Sequence, residues 1–113
     1  MANRHRGEIA AELDGRQWTL CLTLGALAEL EDHFSVPSLT GLAEAFAGRP
    51  LSSGDLIAIL AAGLKGGGND LTREDVAEMR HAGGPEGFVR IVADLLQATF
   101  GTAGGEADAA AAG

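Results

Sequence analysis

The chain alternates before it turns helical. In GEIAAELDGRQWTL (residues 7–20), Ile9, Ala11 and Leu13 take every second position with Glu8 and Glu12 around them, the period of a strand with one face buried. Asp14-Gly15 interrupts the alternation with the residue pair that best supplies the two positive φ angles of a type I′ turn. A two-residue loop sets Leu13 opposite Arg16, Ala11 opposite Trp18 and Ile9 opposite Leu20, which collects the apolar residues on one face. Glu8, Glu12, Gln17 and Thr19 take the other. The predicted strands lie near residues 7–13 and 16–23, and such a hairpin needs helices to cover its apolar side.

After Thr23 the period lengthens. Thr23 is placed to cap a helix from about Leu24 with Leu27, Leu30 and Phe34 on one stripe, ended by Val36-Pro37. Ser38 is the next cap, before a short helix with Leu39, Leu42 and Phe46 on its apolar side and AGRP as its stop. Ser52 with Asp55 forms a capping box, with Leu51 and Leu56 placed as a hydrophobic staple, and opens the helix SGDLIAILAAGLK. That helix runs into Gly66-Gly67-Gly68, where the chain is expected to bend. Thr72, Asp75, Leu71 and Val76 repeat the start signals for a fourth helix, predicted to end near HAGGPEG. Pro85 suits the first turn of the last helix. There Phe88, Ile91, Val92, Leu95, Leu96 and Thr99 make the widest apolar face, expected to anchor the core.

The fold class that follows is α+β: an N-terminal antiparallel hairpin followed by a bundle of four or five short helices. A single domain is expected over residues 7–101, with a flexible N-terminus over 1–6 and a disordered Gly/Ala-rich tail over 102–113. At 113 residues, 46% apolar and 21% charged, the chain has the composition of one globular domain.

Charge and chemistry narrow the function. A formal charge of −8 opposes binding to a phosphate backbone, so nucleic acid is not an expected partner. Cys21 is the single cysteine, there is no apolar h-region behind the N-terminus and no apolar run of spanning length, which together predict a cytoplasmic protein without membrane contact. His5, His33 and His81 stand in separate segments, without metal-ligand spacing, and read as surface residues. Ser52 and Ser53 lack a nucleophile elbow. KGGGND lacks the lysine and hydroxyl ending of a P-loop, and Asn69 and Asp70 alone do not make a calcium loop. No catalytic residue, cofactor or metal is therefore predicted. Two features remain as candidate partner-binding residues: the acidic cluster Glu29, Glu31 and Asp32, and Trp18. Trp18 is expected in the core across from Ala11, with exposure at an interface as the alternative.

The hairpin followed by LTLGALAELE, then DLIAILAAGLKGGG, then GFVRIVADLLQATFG, resembles the small tail assembly chaperones of tailed phages, most of all the gene transfer agent branch. The resemblance covers about residues 7–101. It implies a non-enzymatic protein that binds the long tape-measure protein, keeps its apolar helices from aggregating and helps tail-tube subunits polymerise around it. Self-association into a homo-oligomer is compatible with that role, since repeated copies along a long client multiply weak contacts. The residues also leave open a small cytoplasmic regulatory or adaptor domain that binds another protein.

Overall fold

The hairpin turn forms where its residues require it. In the computed structural model, which describes residues 2–101, Asp14 and Gly15 have φ of 56° and 72° and join β1 (Glu8–Leu13) to β2 (Arg16–Cys21). The two strands are antiparallel in the expected register, with Ile9 opposite Leu20, Ala11 opposite Trp18 and Leu13 opposite Arg16. Ile9, Ala11, Leu13 and Leu20 are buried. Five helices follow: α1 (Leu24–Phe34), α2 (Leu39–Gly48), α3 (Ser53–Gly66), α4 (Arg73–Ala77) and α5 (Pro85–Phe100). The architecture is thus the α+β arrangement of one hairpin and a helical bundle.

Local capping chemistry starts the first four helices. The hydroxyls of Thr23, Ser38, Ser52 and Thr72 accept the N–H of Ala26, Gly41, Asp55 and Asp75 in turn. Both capping boxes close, with the carboxylates of Asp55 and Asp75 accepting the N–H of Ser52 and Thr72. In α2, Leu42 is buried and Phe46 packs against the core, but Leu39 is 42% exposed, contrary to its expected place on the apolar side. As the first helical residue, Leu39 projects back over the helix start, off the face that α2 lays on the bundle.

The centre of the core is α3 rather than α5, which corrects the expectation that the last helix anchors it. Ala58 through Leu64 are all buried, because α3 has neighbours on every side: β2, α1, α4 and α5. A helix that is apolar all round belongs in that position. By contrast, α5 turns Ile91, Val92 and Leu95 inward against the hairpin and α3 and leaves Val89, Arg90 and Ala93 in solvent.

The glycine triplet is where α3 meets the sheet. A Cβ at Gly66 would run into the carbonyl oxygen of Cys21, and one at Gly67 into that of Thr19, so only glycine lets the end of α3 lie against the backbone of β2. The Asn69 amide then donates to the carbonyls of Thr19 at 2.9 Å and Leu64 at 3.0 Å, tying the segment after the helix to the same strand.

The fourth helix ends at Ala77, well short of its expected end near HAGGPEG. The hairpin turn takes hold of the chain there: the Arg80 N–H donates to the Asp14 carboxylate at 2.8 Å, and the Asp14 N–H donates to the Arg80 carbonyl at 2.8 Å. Before β1, Arg4–Arg6 forms a 3-10 turn capped by Asn3, with Arg4 ion-paired to Asp94 of α5 at 3.1 Å. The tail expected over 102–113 lies outside the described residues.

Candidate partner-binding groove

Tying Arg80 to the hairpin turn has a consequence for the surface between α3, α4 and α5. Leu56, Ile57 and Leu60 of α3, Val76 and Ala77 of α4, and Phe88 of α5 face a shared opening of about 460 Å³. Met79, Arg80, His81, Gly84 and Pro85 form its far wall. The five-residue α4 is too short to cover α3, and Gly84 (φ 67°) and Pro85, at the start of α5, line the gap. The volume falls within the usual range for ligand sites, roughly 300–1,000 Å³.

The wall is fixed in place. His81 Nδ1 accepts the Gly83 N–H at 2.8 Å, and its ring lies where a Cβ on Gly87 would collide with it. The ring also faces Phe88 at 6.0 Å between centroids. His81 is thus half-buried and partnered, which corrects its reading as a plain surface residue. With Nδ1 accepting, the neutral ring carries its proton on Nε2. The lining includes Arg80 and His81 and no Asp or Glu, although the chain carries 16 acidic residues against 8 basic ones.

His33 likewise departs from the surface reading. Its Nε2 lies 3.0 Å from Asp55 Oδ1, and the Arg49 guanidinium stands 3.5 Å from the other carboxylate oxygen. Arg49 also lies over the Phe34 ring at 4.8 Å, and Phe34 meets Phe46 edge-on at 5.2 Å. The Asp55 carboxyl is held below the usual range, chiefly by the Ser52 N–H, against the opposing effect of burial and with help from His33, the Ser52 hydroxyl and Arg49. With the Asp55 carboxylate closing the cap of α3 and holding a side chain of α1, the cluster ties two helices together. Among the described residues, no three His, Cys, Asp or Glu side chains converge as a metal site would need. The Cys21 thiol is pushed up by burial first and by Glu8 second, against Arg6, and its Sγ lies 3.6 Å from the Arg6 carbonyl oxygen.

The residues singled out by sequence stand apart from the groove. Glu29, Glu31 and Asp32 line a shallow recess on α1 with Ala28, Ser35, Val36 and Pro37, and Glu29 is engaged by Lys65 at 3.1 Å. Trp18 is half-buried on the hairpin, opposite Ala11, where its indole N–H donates to the Leu13 carbonyl at 2.9 Å and Arg16 covers its ring at 4.5 Å. Trp18 lines neither the recess nor the groove. Reading the sequence missed Met79, Arg80, His81 and Phe88 as a set, because what joins them is the length of α4 and the Asp14 link.

The fold and this groove define a small α+β domain with an apolar surface left open between helices. The chain belongs to the phage tail assembly chaperone family of gene transfer agents: residues 6–102 match the family model described as "Phage tail tube protein, GTA-gp10". That family is typically non-enzymatic, and its partners are tail proteins. No curated protein and no solved structure matches the chain. No described helix is long and apolar enough to cross a membrane.

Proposed function

We propose that this chaperone binds the tape-measure protein in the bacterial cytoplasm during tail assembly, holding an apolar face of a client helix in the groove between α3, α4 and α5. The observation that supports this reading is the groove itself: Leu56, Ile57, Met79 and Phe88 border an opening that no described element covers. A row of apolar side chains between two helices suits an amphipathic helix inserted by its own apolar face. Met79 adds a flexible, polarisable contact of the kind that adapts to varied clients. The acidic recess of α1 and Trp18 lie outside the groove and, on this reading, are not the primary contact.

Co-expression with the tape-measure protein of the same tail tests the proposal. The client is expected to stay soluble and co-purify with the intact chain, and Phe88→Ala is expected to weaken co-purification while the variant remains folded by circular dichroism. A client equally soluble without the chain, and never recovered with it, refutes the reading and favours the adaptor alternative.

A further inference from the structure

The groove sets basic side chains among apolar ones. Its lining contains Arg80 and His81 and no Asp or Glu, in a chain of formal charge −8. An acidic protein that binds an uncharged apolar helix has no need of that exclusion.

The two basic residues are held in different ways. Arg80 is held at the rim through its backbone, by the two hydrogen bonds to Asp14, and its guanidinium has no ion pair among the described residues. His81 is held by its ring, with Nδ1 occupied by the Gly83 N–H and the ring face against Gly87, which leaves Nε2–H as its donor. A guanidinium fork and an imidazole N–H that line the same groove match a carboxylate better than any neutral group. The ordering cost of the His81 ring is already met by folding, while the unpaired Arg80 guanidinium is ordered on binding the carboxylate.

We infer that the groove selects a helical segment that carries an Asp or Glu at the edge of its apolar face, with that carboxylate seated on Arg80 and His81. The inference rests on the groove reading of the proposed function. It gives that reading a selectivity rule: among the apolar helices of a long client, those with an acidic residue beside the apolar stripe are held, and those flanked by Lys or Arg are rejected by like charge.

The test uses the full chain and dye-labelled synthetic peptides of about 20 residues that tile the tape-measure protein, with binding followed by fluorescence anisotropy. For each peptide that binds, a twin is made with the acidic residue next to its apolar stripe changed to the amide. Binding peptides are expected to carry such a residue, and the amide twin is expected to bind at least about tenfold more weakly to the native chain. Arg80→Gln should lose a similar factor for the acidic peptide and little for its twin, the signature of a coupled pair. The binding of the acidic peptide should weaken as salt is raised. Phe88→Ala should weaken both peptides. Equal binding of acidic and amide peptides, or an Arg80→Gln chain that binds as the native one does, overturns the carboxylate inference while loss in Phe88→Ala leaves the groove reading standing. If no tile binds, or if Phe88→Ala has no effect on those that do, the groove reading falls and the inference with it.

Discussion

The two ends of α3 are treated in opposite ways. At its C-terminal end the helix lies directly on the β2 backbone, with Gly66 and Gly67 leaving no room for a side chain and Asn69 donating to two carbonyls. At its N-terminal end one side is tied to α1 through Asp55, His33 and Arg49, while the other side opens onto the apolar groove. A small domain has little core to spare, so it cannot be tightly packed everywhere and still offer an apolar surface to a partner. Here the dense packing is placed at one end of the central helix, and the exposed apolar surface at the other.

The largest stability effect should come from the dense end. In an open helix Gly→Ala stabilises by about 1 kcal/mol. At Gly66 or Gly67 the new Cβ meets a carbonyl oxygen of β2, and backbone cannot move aside as the tip of a side chain can. The collision should reverse the sign, with Gly66→Ala and Gly67→Ala each losing about 3 kcal/mol in urea unfolding. A gain on either substitution would show that α3 and β2 do not meet as closely as described.

Asp55→Ala comes next, at about 2 kcal/mol, because it removes a capping box together with the partner of His33. This effect should depend on pH. The folded carboxyl sits below its unfolded value of about 3.9, so its contribution is complete above that value and lost as the pH falls through the folded one. The stability gap between native protein and Asp55→Ala should therefore be constant near neutrality and narrow below about pH 4. A gap that widens on acidification contradicts the hydrogen-bonding described for Ser52 and Asp55.

Asn69→Ala should cost about 1 kcal/mol, since the carbonyls of Thr19 and Leu64 lose a donor in a half-buried place. Thermal unfolding resolves it: in a domain of this size 1 kcal/mol lowers the midpoint by roughly 4–8 °C.

Sequence legibility follows the same division between local and distant causes. The hairpin register and both capping boxes could be read in advance because each depends on residues within a few positions of one another, such as Asp14-Gly15 and Ser52 with Asp55. The triplet Gly66-Gly67-Gly68 was legible as a bend but not as a contact, since the carbonyls that exclude a side chain belong to Thr19 and Cys21. The early end of α4 was hidden for a similar reason: the residue that captures Arg80 is Asp14, 66 positions earlier. His33 gave no sign of its bond to Asp55, 22 positions away. The groove is the extreme case. It is defined by what fails to cover Leu56 and Ile57, and no pattern in a segment records the absence of a neighbour.

The smallest stability effects should fall on the groove wall, and that is what separates a binding surface from a core. Arg80 holds the fold through its N–H and carbonyl, which any substituted residue other than proline retains, and its guanidinium has no ion pair among the described residues. Met79 is half-buried and borders open space on the groove side. Arg80→Gln should therefore change unfolding free energy by no more than about 0.5 kcal/mol, and Met79→Gln by about 1 kcal/mol or less. Urea titrations at pH 7 measure both. An Arg80→Gln loss of 2 kcal/mol would mean that the guanidinium supports the fold, and the groove would then be a packing detail like the contact at Gly67. A negligible loss, together with weakened client recovery in the same variant, would locate the binding surface at the open end of α3, where substitution does not disturb folding.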